Sequence, residues 1–296
     1  MTTGAAPTPV QVMPRVARTI AEVRAAVAAA RAGGARIGFV ATMGAFHEGH
    51  LSLMRQARAD CGFVVVSIFV NPTQFNQASD LANYPRDEAR DLAMAATVGV
   101  DLVFAPSADE MYPEGFATDV TVSGVSEPLE GAHRGPVHFR GVATVVAKLF
   151  NIVAPDVAYF GQKDAQQALV VRRMARDLDF PLRVEVCPTV REPDGLAMSS
   201  RNVRLAPDDR VRALALKAGL DAAAAAVAAG VRRAADVTAA ATAAMRERGV
   251  EPEYVAAVDA RTLEEPETLC GATLIAIAAP VGPVRLIDNI LIQVPD

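Results

Sequence analysis

Two histidines three residues apart, His47 and His50, stand in Thr42-Met-Gly-Ala-Phe-His-Glu-Gly-His-Leu51, directly after an apolar run and before a helical pattern. On a helical turn that spacing sets both imidazoles on roughly one side. Imidazole N–H donors beside a helix N-terminus suit a triphosphate, and they suit the charge that builds on it as pyrophosphate leaves. Gly44 and Gly49 let the backbone come close to a ligand. Two other uses compete. A zinc pair fits the spacing poorly, because zinc-protease helices use HExxH and His-Glu-Gly-His is one residue shorter. The remaining use is helix capping without catalytic work.

Two later segments carry similar chemistry. Gly161-Gln-Lys-Asp164 sits where a strand pattern gives way to a helix pattern. Gly161 permits close approach, Lys163 is a compact cation for phosphate, and Asp164 can cap the helix or bind a ribose hydroxyl. Met198-Ser-Ser-Arg-Asn202 offers two hydroxyls and a guanidinium on a flexible joint that could close onto phosphates. Taken alone, the first reads as a surface turn with a cap and the second as a polar linker.

The elements that must position these residues are legible as alternating apolar runs and helical patterns. Strands are expected over 36–41, 63–70, 101–105, 157–160 and 183–186, and helices over 51–59, 87–98, 141–153 and 164–178. Continuous apolar strands separated by amphipathic helices predict a Rossmann-like α/β fold, a parallel sheet covered by helices. In such sheets ligands bind beyond the carboxyl ends of the strands, where both His47/His50 and Lys163 would stand. After about residue 189 the pattern changes. Ala-rich helices are expected over 207–229 and 234–248, then β-prone stretches over 254–259, 272–279 and 284–292. This predicts a first domain over 1–189 and a smaller C-terminal α+β domain over 190–296.

The 296-residue chain is 51% hydrophobic and 21% charged, which allows a large core and excludes a disordered polyelectrolyte. A net charge of −5 gives no basic excess for nucleic acid. Cys61, Cys187 and Cys270 are unclustered, as expected of reduced thiols in a cytoplasmic protein. Residues 1–14 are Thr/Pro/Ala-rich, without the pattern of a signal peptide, and read as a frayed tail. The apolar stretch 274–279 is too short to cross a bilayer, so no membrane partner is expected.

Together the three segments resemble HIGH-type adenylyl-transferring enzymes. The detailed wording narrows this. Besides the His47/His50 segment, Ser67-Ile-Phe-Val-Asn-Pro-Thr-Gln-Phe75, Tyr84-Pro-Arg86, Leu129-Glu-Gly131, His138-Phe139, Phe160-Gly-Gln-Lys-Asp164, Gln166-Gln167 and Arg191-Glu-Pro-Asp-Gly-Leu-Ala-Met-Ser-Ser-Arg-Asn202 are similar to the pantothenate synthetase (pantoate–β-alanine ligase) family. The motifs run from about residue 36 to 205.

The resemblance implies ATP-dependent joining of pantoate to β-alanine through a pantoyl adenylate, with release of pyrophosphate and AMP. It implies that His50 is the catalytic proton donor, that His47 holds and neutralises phosphates, and that Lys163 acts on them too. Met43, Gly44, Ala45, Phe46, His47, Glu48, Gly49 and His50 would line the ATP site. So would Gly161, Gln162, Lys163 and Asp164, with Asp164 near the ribose. Val190 would meet the adenine through its backbone, and Met198, Ser199, Ser200 and Arg201 would clamp the phosphates. Gln74 and Gln167 would hydrogen-bond pantoate, with Gln74 also near β-alanine. Mg2+ would accompany ATP, and Asp91 is the matching metal carboxylate. Arg90 and Met94 stand where some members carry a second carboxylate and an amide, which leaves water and phosphate oxygens for most of the ligand positions. The family also implies a homodimer. An alternative of a different kind is a nucleotidylyltransferase acting on a phosphate-bearing acceptor, and a further one is a non-enzymatic nucleotide-sensing module.

Overall fold

In a computed structural model of the chain, the described residues are 12–75, 81–82 and 84–295. Residues 1–11 of the expected tail lie outside them. The order of elements is β1 (Arg15–Ala17), α1 (Ile20–Ala32), β2 (Ile37–Thr42), α2 (Glu48–Asp60), β3 (Phe63–Ile68), α3 (Glu88–Thr97), β4 (Leu102–Phe104), α4 (Glu130–Arg134), α5 (Pro136–Val153), β5 (Val157–Gly161), α6 (Ala165–Asp177) and β6 (Arg183–Cys187). Then follow α7 (Pro207–Arg212), α8 (Leu214–Ala228), α9 (Ala234–Arg246), β7 (Tyr254–Asp259), β8 (Gly271–Val281) and β9 (Val284–Val294). A single helical turn, Ala108–Met111, lies between β4 and α4.

The first six strands form one sheet in the order β1-β4-β3-β2-β5-β6, with every pairing parallel. This is the expected Rossmann-like sheet. Successive strand residues point to opposite faces, so alternate side chains enter two cores. Ile37, Phe39, Val65, Leu102, Phe104, Ala158 and Phe160 face α1, α5 and α6. Val40, Val64, Val66, Val103, Val157 and Tyr159 face α2 and α3. Full burial of each such large apolar side chain contributes about 1.5–3 kcal/mol. Phe39 and Phe150 add an edge-to-face contact at 6.5 Å between ring centroids.

The strand order reverses at β2. From there the chain builds outward through β3 and β4, then crosses to lay β5 on the other side. Parallel sheets open a crevice at such a switch point. Its two walls are the loops after β2 and after β5, which carry the His47/His50 and Lys163 segments.

A second core is built from α8, α9 and an antiparallel sheet β7-β8-β9. The single helix expected over 207–229 is two, α7 and α8, meeting at Ala213. The cause is different docking. Arg210 of α7 bonds Glu192 at 2.7 Å and Asp194 at 2.9 Å, whereas α8 buries Leu216 and Leu220 in the second core. Other expected elements appear with shifted ends; α5 begins at Pro136 rather than 141, because proline is favoured in the first turn of a helix. β1 and α1 were not expected. Among the described residues no helix is long and apolar enough to cross a membrane.

Candidate active site

The corner after β2 is held by side chains distant in sequence. Thr42 Oγ1 donates to the Ser67 carbonyl at 2.5 Å and accepts the Gly44 amide at 3.1 Å. Gly44 and Ala45 then take positive φ values of 85° and 54°. For Ala45 that conformation costs about 1–2 kcal/mol. Asp91, on α3, offsets it: its Oδ2 accepts the Ala45 amide at 2.8 Å and its Oδ1 accepts the Phe46 amide at 2.7 Å. Burial pushes the Asp91 pKa up, while the two amides pull against that.

Asp91, the carboxylate that the resemblance matches to the metal, here anchors the histidine loop. It is 1% exposed, and both oxygens already serve the backbone of the histidine loop. Among the described residues no group of three or more His, Cys, Asp or Glu side chains is placed to hold a metal ion.

The two histidines form a reciprocal cap on α2. The Gly49 amide donates to His47 Nδ1 at 3.1 Å, and the His47 amide donates to His50 Nδ1 at 3.3 Å. The capping alternative is thus realised, but through Nδ1 alone. A ring whose Nδ1 accepts carries its proton on Nε2. Each imidazole therefore keeps an Nε2–H donor in reserve. Burial, then the positive charge of Lys163, holds the His47 pKa below its usual value. Burial, then His47, pushes His50 down to about 3. Both rings are neutral donors at pH 7. Gly49 is required here, since a Cβ there would meet the His47 ring at 2.9 Å.

The wall after β5 brings Lys163 toward the same crevice. Lys163 Nζ lies 3.6 Å from Asp164 Oδ1. Burial would raise the Asp164 pKa, but Lys163, Arg201 and Arg134 outweigh it and hold the carboxyl below its usual range. Asp164 makes no side-chain cap bond to α6, so of the two uses open to it, capping is not realised.

The third segment reaches the crevice by a hairpin. Arg191 bridges Ala197, and the Met198 amide donates to the Val190 carbonyl at 2.9 Å. The Met198 Cβ lies 3.9 Å from where a Gly49 side chain would start. Lys163, Ser199 and Arg201 line one cavity. The structure thus brings residues 43–50, 161–164 and 198–201 to one place.

Gln74 sits at the end of a 3₁₀ turn, Pro72–Gln74. Its Oε1 accepts from Asn71 Nδ2 at 3.0 Å, and its Nε2 lies 3.3 Å from Met43 Sδ. Asn71, 1% exposed, also donates to the Gly141 carbonyl at 3.2 Å and accepts the Tyr112 hydroxyl at 2.7 Å. α5 comes so close that a Cβ on Gly141 would meet the Thr73 carbonyl oxygen at 2.6 Å. His138 Nδ1 lies 3.0 Å from the Gln74 carbonyl, and burial pushes its pKa down to about 4. Its neutral ring donates that bond.

The two glutamines of α6 differ. Gln166 donates to the carbonyls of Val125 and Pro128 and accepts the Glu130 amide, so it braces a loop. Gln167 is half-buried on the next position.

Four residues join this site that were not singled out from the sequence. Burial pushes the Tyr84 hydroxyl up to about 12, against the opposing pull of Arg201 and Ser200. Asp288 of β9 pairs both its oxygens with Arg191, at 2.6 and 3.0 Å. Asn289 bonds the backbone of Gln162 and Lys163. Glu130, reached by Arg285 at 2.8 Å, Arg134 at 3.1 Å and the Tyr254 hydroxyl at 3.0 Å, ties the two cores together. Tyr84 and Glu130 lay in quoted motifs, Tyr84-Pro-Arg86 and Leu129-Glu-Gly131, without an assigned role; Asp288 and Asn289 carried no signal.

Residues 15–291 match the family model described as Pantoate-beta-alanine ligase. A pantothenate synthetase of Cereibacter sphaeroides is 55% identical over 94% of this chain and 99% of its own. One from Moorella thermoacetica is also 55% identical, with the same coverage. A crystal structure of pantothenate synthetase from Thermus thermophilus superposes with a TM-score of 0.88 at 47% identity, covering 95% of this chain and 100% of that one. A pantoate-beta-alanine ligase from Francisella tularensis, complexed with beta-gamma ATP and beta-alanine, has a TM-score of 0.74 at 33% identity, covering 94% of this chain and 97% of that one. With a family model spanning most of its length and relatives above half identity over nearly all of it, the chain belongs to the pantoate–β-alanine ligase family.

Proposed function

We propose that the chain condenses pantoate with β-alanine to pantothenate at the expense of ATP, which is cleaved to AMP and pyrophosphate. The observation that carries this reading is the pair of neutral Nε2–H donors, His47 and His50, capping α2 at the sheet's switch point across from Lys163.

In the first step a pantoate carboxylate oxygen attacks the α-phosphorus. The bond from that phosphorus to the bridging oxygen breaks, and pyrophosphate departs with the negative charge. A carboxylate is a poor acyl donor at neutral pH, and the mixed anhydride gives it a good leaving group. His50 and His47 donate Nε2–H bonds to oxygens whose charge grows as the bond breaks. Because both imidazoles start neutral, His50 acts first as a hydrogen-bond donor, and the phosphate charge raises its basicity as it arrives. Lys163 meets the phosphates from the opposite wall, with Ser199, Ser200 and Arg201 closing from the hairpin. Asp164 lies near the ribose, and the backbone of Val190 near the adenine. In the second step the β-alanine amine attacks the acyl carbon, the carbon–oxygen bond to the phosphate breaks, AMP leaves, and the amine proton passes to solvent. Gln74 and Gln167 would orient pantoate by donating and accepting at once.

Magnesium enters this scheme as part of the nucleotide substrate, held by phosphate oxygens and water. Residues 1–189 serve as the ATP- and pantoate-binding domain and residues 190–296 as the lid. The separate second core and the hairpin that starts at Val190 support that division. A cytoplasmic homodimer completes the proposal.

One assay tests it. Labelled pyrophosphate should exchange into ATP only when pantoate is present, and AMP should appear only once β-alanine is added. Exchange that ignores pantoate, or AMP retained on a phosphate-bearing acceptor, would favour a nucleotidylyltransferase. No exchange at all would mean the fold has lost the chemistry.

A further inference from the structure

The contact between β9 and the Lys163 loop is built as a clamp. Asn289 Nδ2 donates to the Gln162 carbonyl at 3.0 Å and to the Lys163 carbonyl at 2.9 Å. Its Oδ1 accepts from Gln162 Nε2 at 2.9 Å. One amide thus fixes two successive peptide units of the loop and one of its side chains. Those peptide units set the direction in which Lys163 leaves the backbone. Asparagine is a poor strand former, and burying its amide is unfavourable unless every polar atom is bonded. Yet Asn289 is 5% exposed within β9, beside Asp288 at 2%. Neighbouring strand residues point to opposite faces. Asp288 therefore grips Arg191 of the hairpin on one side while Asn289 grips the Lys163 loop on the other. Two adjacent residues of β9, the edge strand of its sheet, thus bind two separate segments of the site.

We infer that Asn289 is a positioning residue that aims Lys163 at the phosphates of ATP, so that the C-terminal sheet completes the adenylylation site. This rests on the ligase reading given above. Nothing on β9 needs to touch substrate for it to act. A lysine displaced by about 1 Å can cost about 100-fold in rate.

The two half-reactions separate this from a general structural role. Adenylylation handles a triphosphate and requires Lys163 in place; attack of β-alanine on a supplied pantoyl adenylate involves no pyrophosphate. Asn289→Ala should slow pantoate-dependent pyrophosphate exchange by about 100-fold. It should leave the β-alanine step on supplied adenylate within about threefold, a change of only about 0.6 kcal/mol. Asn289→Ser, which keeps one donor, should recover part of the loss. In a Lys163→Met background, Asn289→Ala should change exchange by less than about threefold, because two residues acting through one group are not additive.

Exchange near the parent rate, equal loss in both half-reactions, or a full second loss on top of Lys163→Met would each overturn the inference. If Asn289→Ala does not fold, Asn289→Asp, of nearly the same volume but without the donors, is judged by the same criteria. Absence of pantoate-dependent exchange in the unsubstituted enzyme would overturn the ligase reading and this inference with it. Normal exchange in the parent, with insensitive variants, would overturn this inference alone.

Discussion

His50 accepts the backbone amide of His47 on its Nδ1 at 3.3 Å, and the two rings stand with centroids 4.2 Å apart. Folding favours the neutral form of this pair. The folded pKa of His50, about 3, lies below its usual value of 6.5. Between those limits the unfolded chain binds the proton more readily, so stability is complete above about pH 6.5 and declines as pH falls toward 3. Replacing His50 by Asn should flatten this decline. Urea midpoints at pH 7 and pH 5 check it; parallel losses in parent and variant would show that His50 does not contribute.

The same ring carries a kinetic prediction. His50→Asn should lower pyrophosphate exchange by about 100- to 1000-fold, the usual effect of removing a donor aimed at developing charge. Near-normal exchange would remove His50 from the reaction.

Gly49 should behave against ordinary helix propensity. Replacing glycine by alanine inside a helix normally adds about 1 kcal/mol. Here the new methyl would stand 2.9 Å from the His47 ring, so the ring must leave the Gly49 amide. Gly49→Ala should therefore lower exchange at least about tenfold with a melting temperature changed by only a few degrees. An active variant would show that the cap is not needed.

Asp91 offers a test of anchor against metal ligand. Asp91→Ala frees two amides in a buried corner and should destabilise the protein by about 2–3 kcal/mol. The magnesium concentration giving half-maximal activity should not move. A large rightward shift in that concentration, with stability unchanged, would restore the metal role.

Glu130 should report on the join between the two cores. Burial raises its pKa, yet Arg285 and Arg134 outweigh this and bring it to about 2. Its folded pKa is depressed, so its contribution is present above about pH 4.5 and is lost as pH falls toward 2. Glu130→Gln should cost about 3 kcal/mol at pH 7 and much less near pH 3, read from denaturation curves. A loss independent of pH would mean that the charge is not what matters.

The sheet was legible because its strands are largely apolar runs, with three valines in succession at 64–66, and the first site segment because glycines and histidines follow such a run directly. α1 was missed since its alanines give only a weak apolar stripe, although Thr19 and Glu22 form a capping box that could have marked its start. β1 has three residues, too few for a period. Asp91 was known only as the carboxylate matched to the metal by resemblance; its part in holding the loop was not legible, because its partners lie 45 and 46 residues earlier. Asp288 and Asn289 could not be read at all. Their partners are about a hundred residues away, and only the folded chain brings them together.

β9 is synthesised after every strand of the parallel sheet, yet it grips both the Lys163 loop and Arg191. A nascent chain can therefore have its larger sheet assembled on the ribosome while the crevice is still slack. Premature termination between residues 202 and 288 would release a fragment that keeps both histidines and lacks the strand that holds the opposing loops, so translation errors late in the message would yield inert protein rather than an enzyme that wastes ATP.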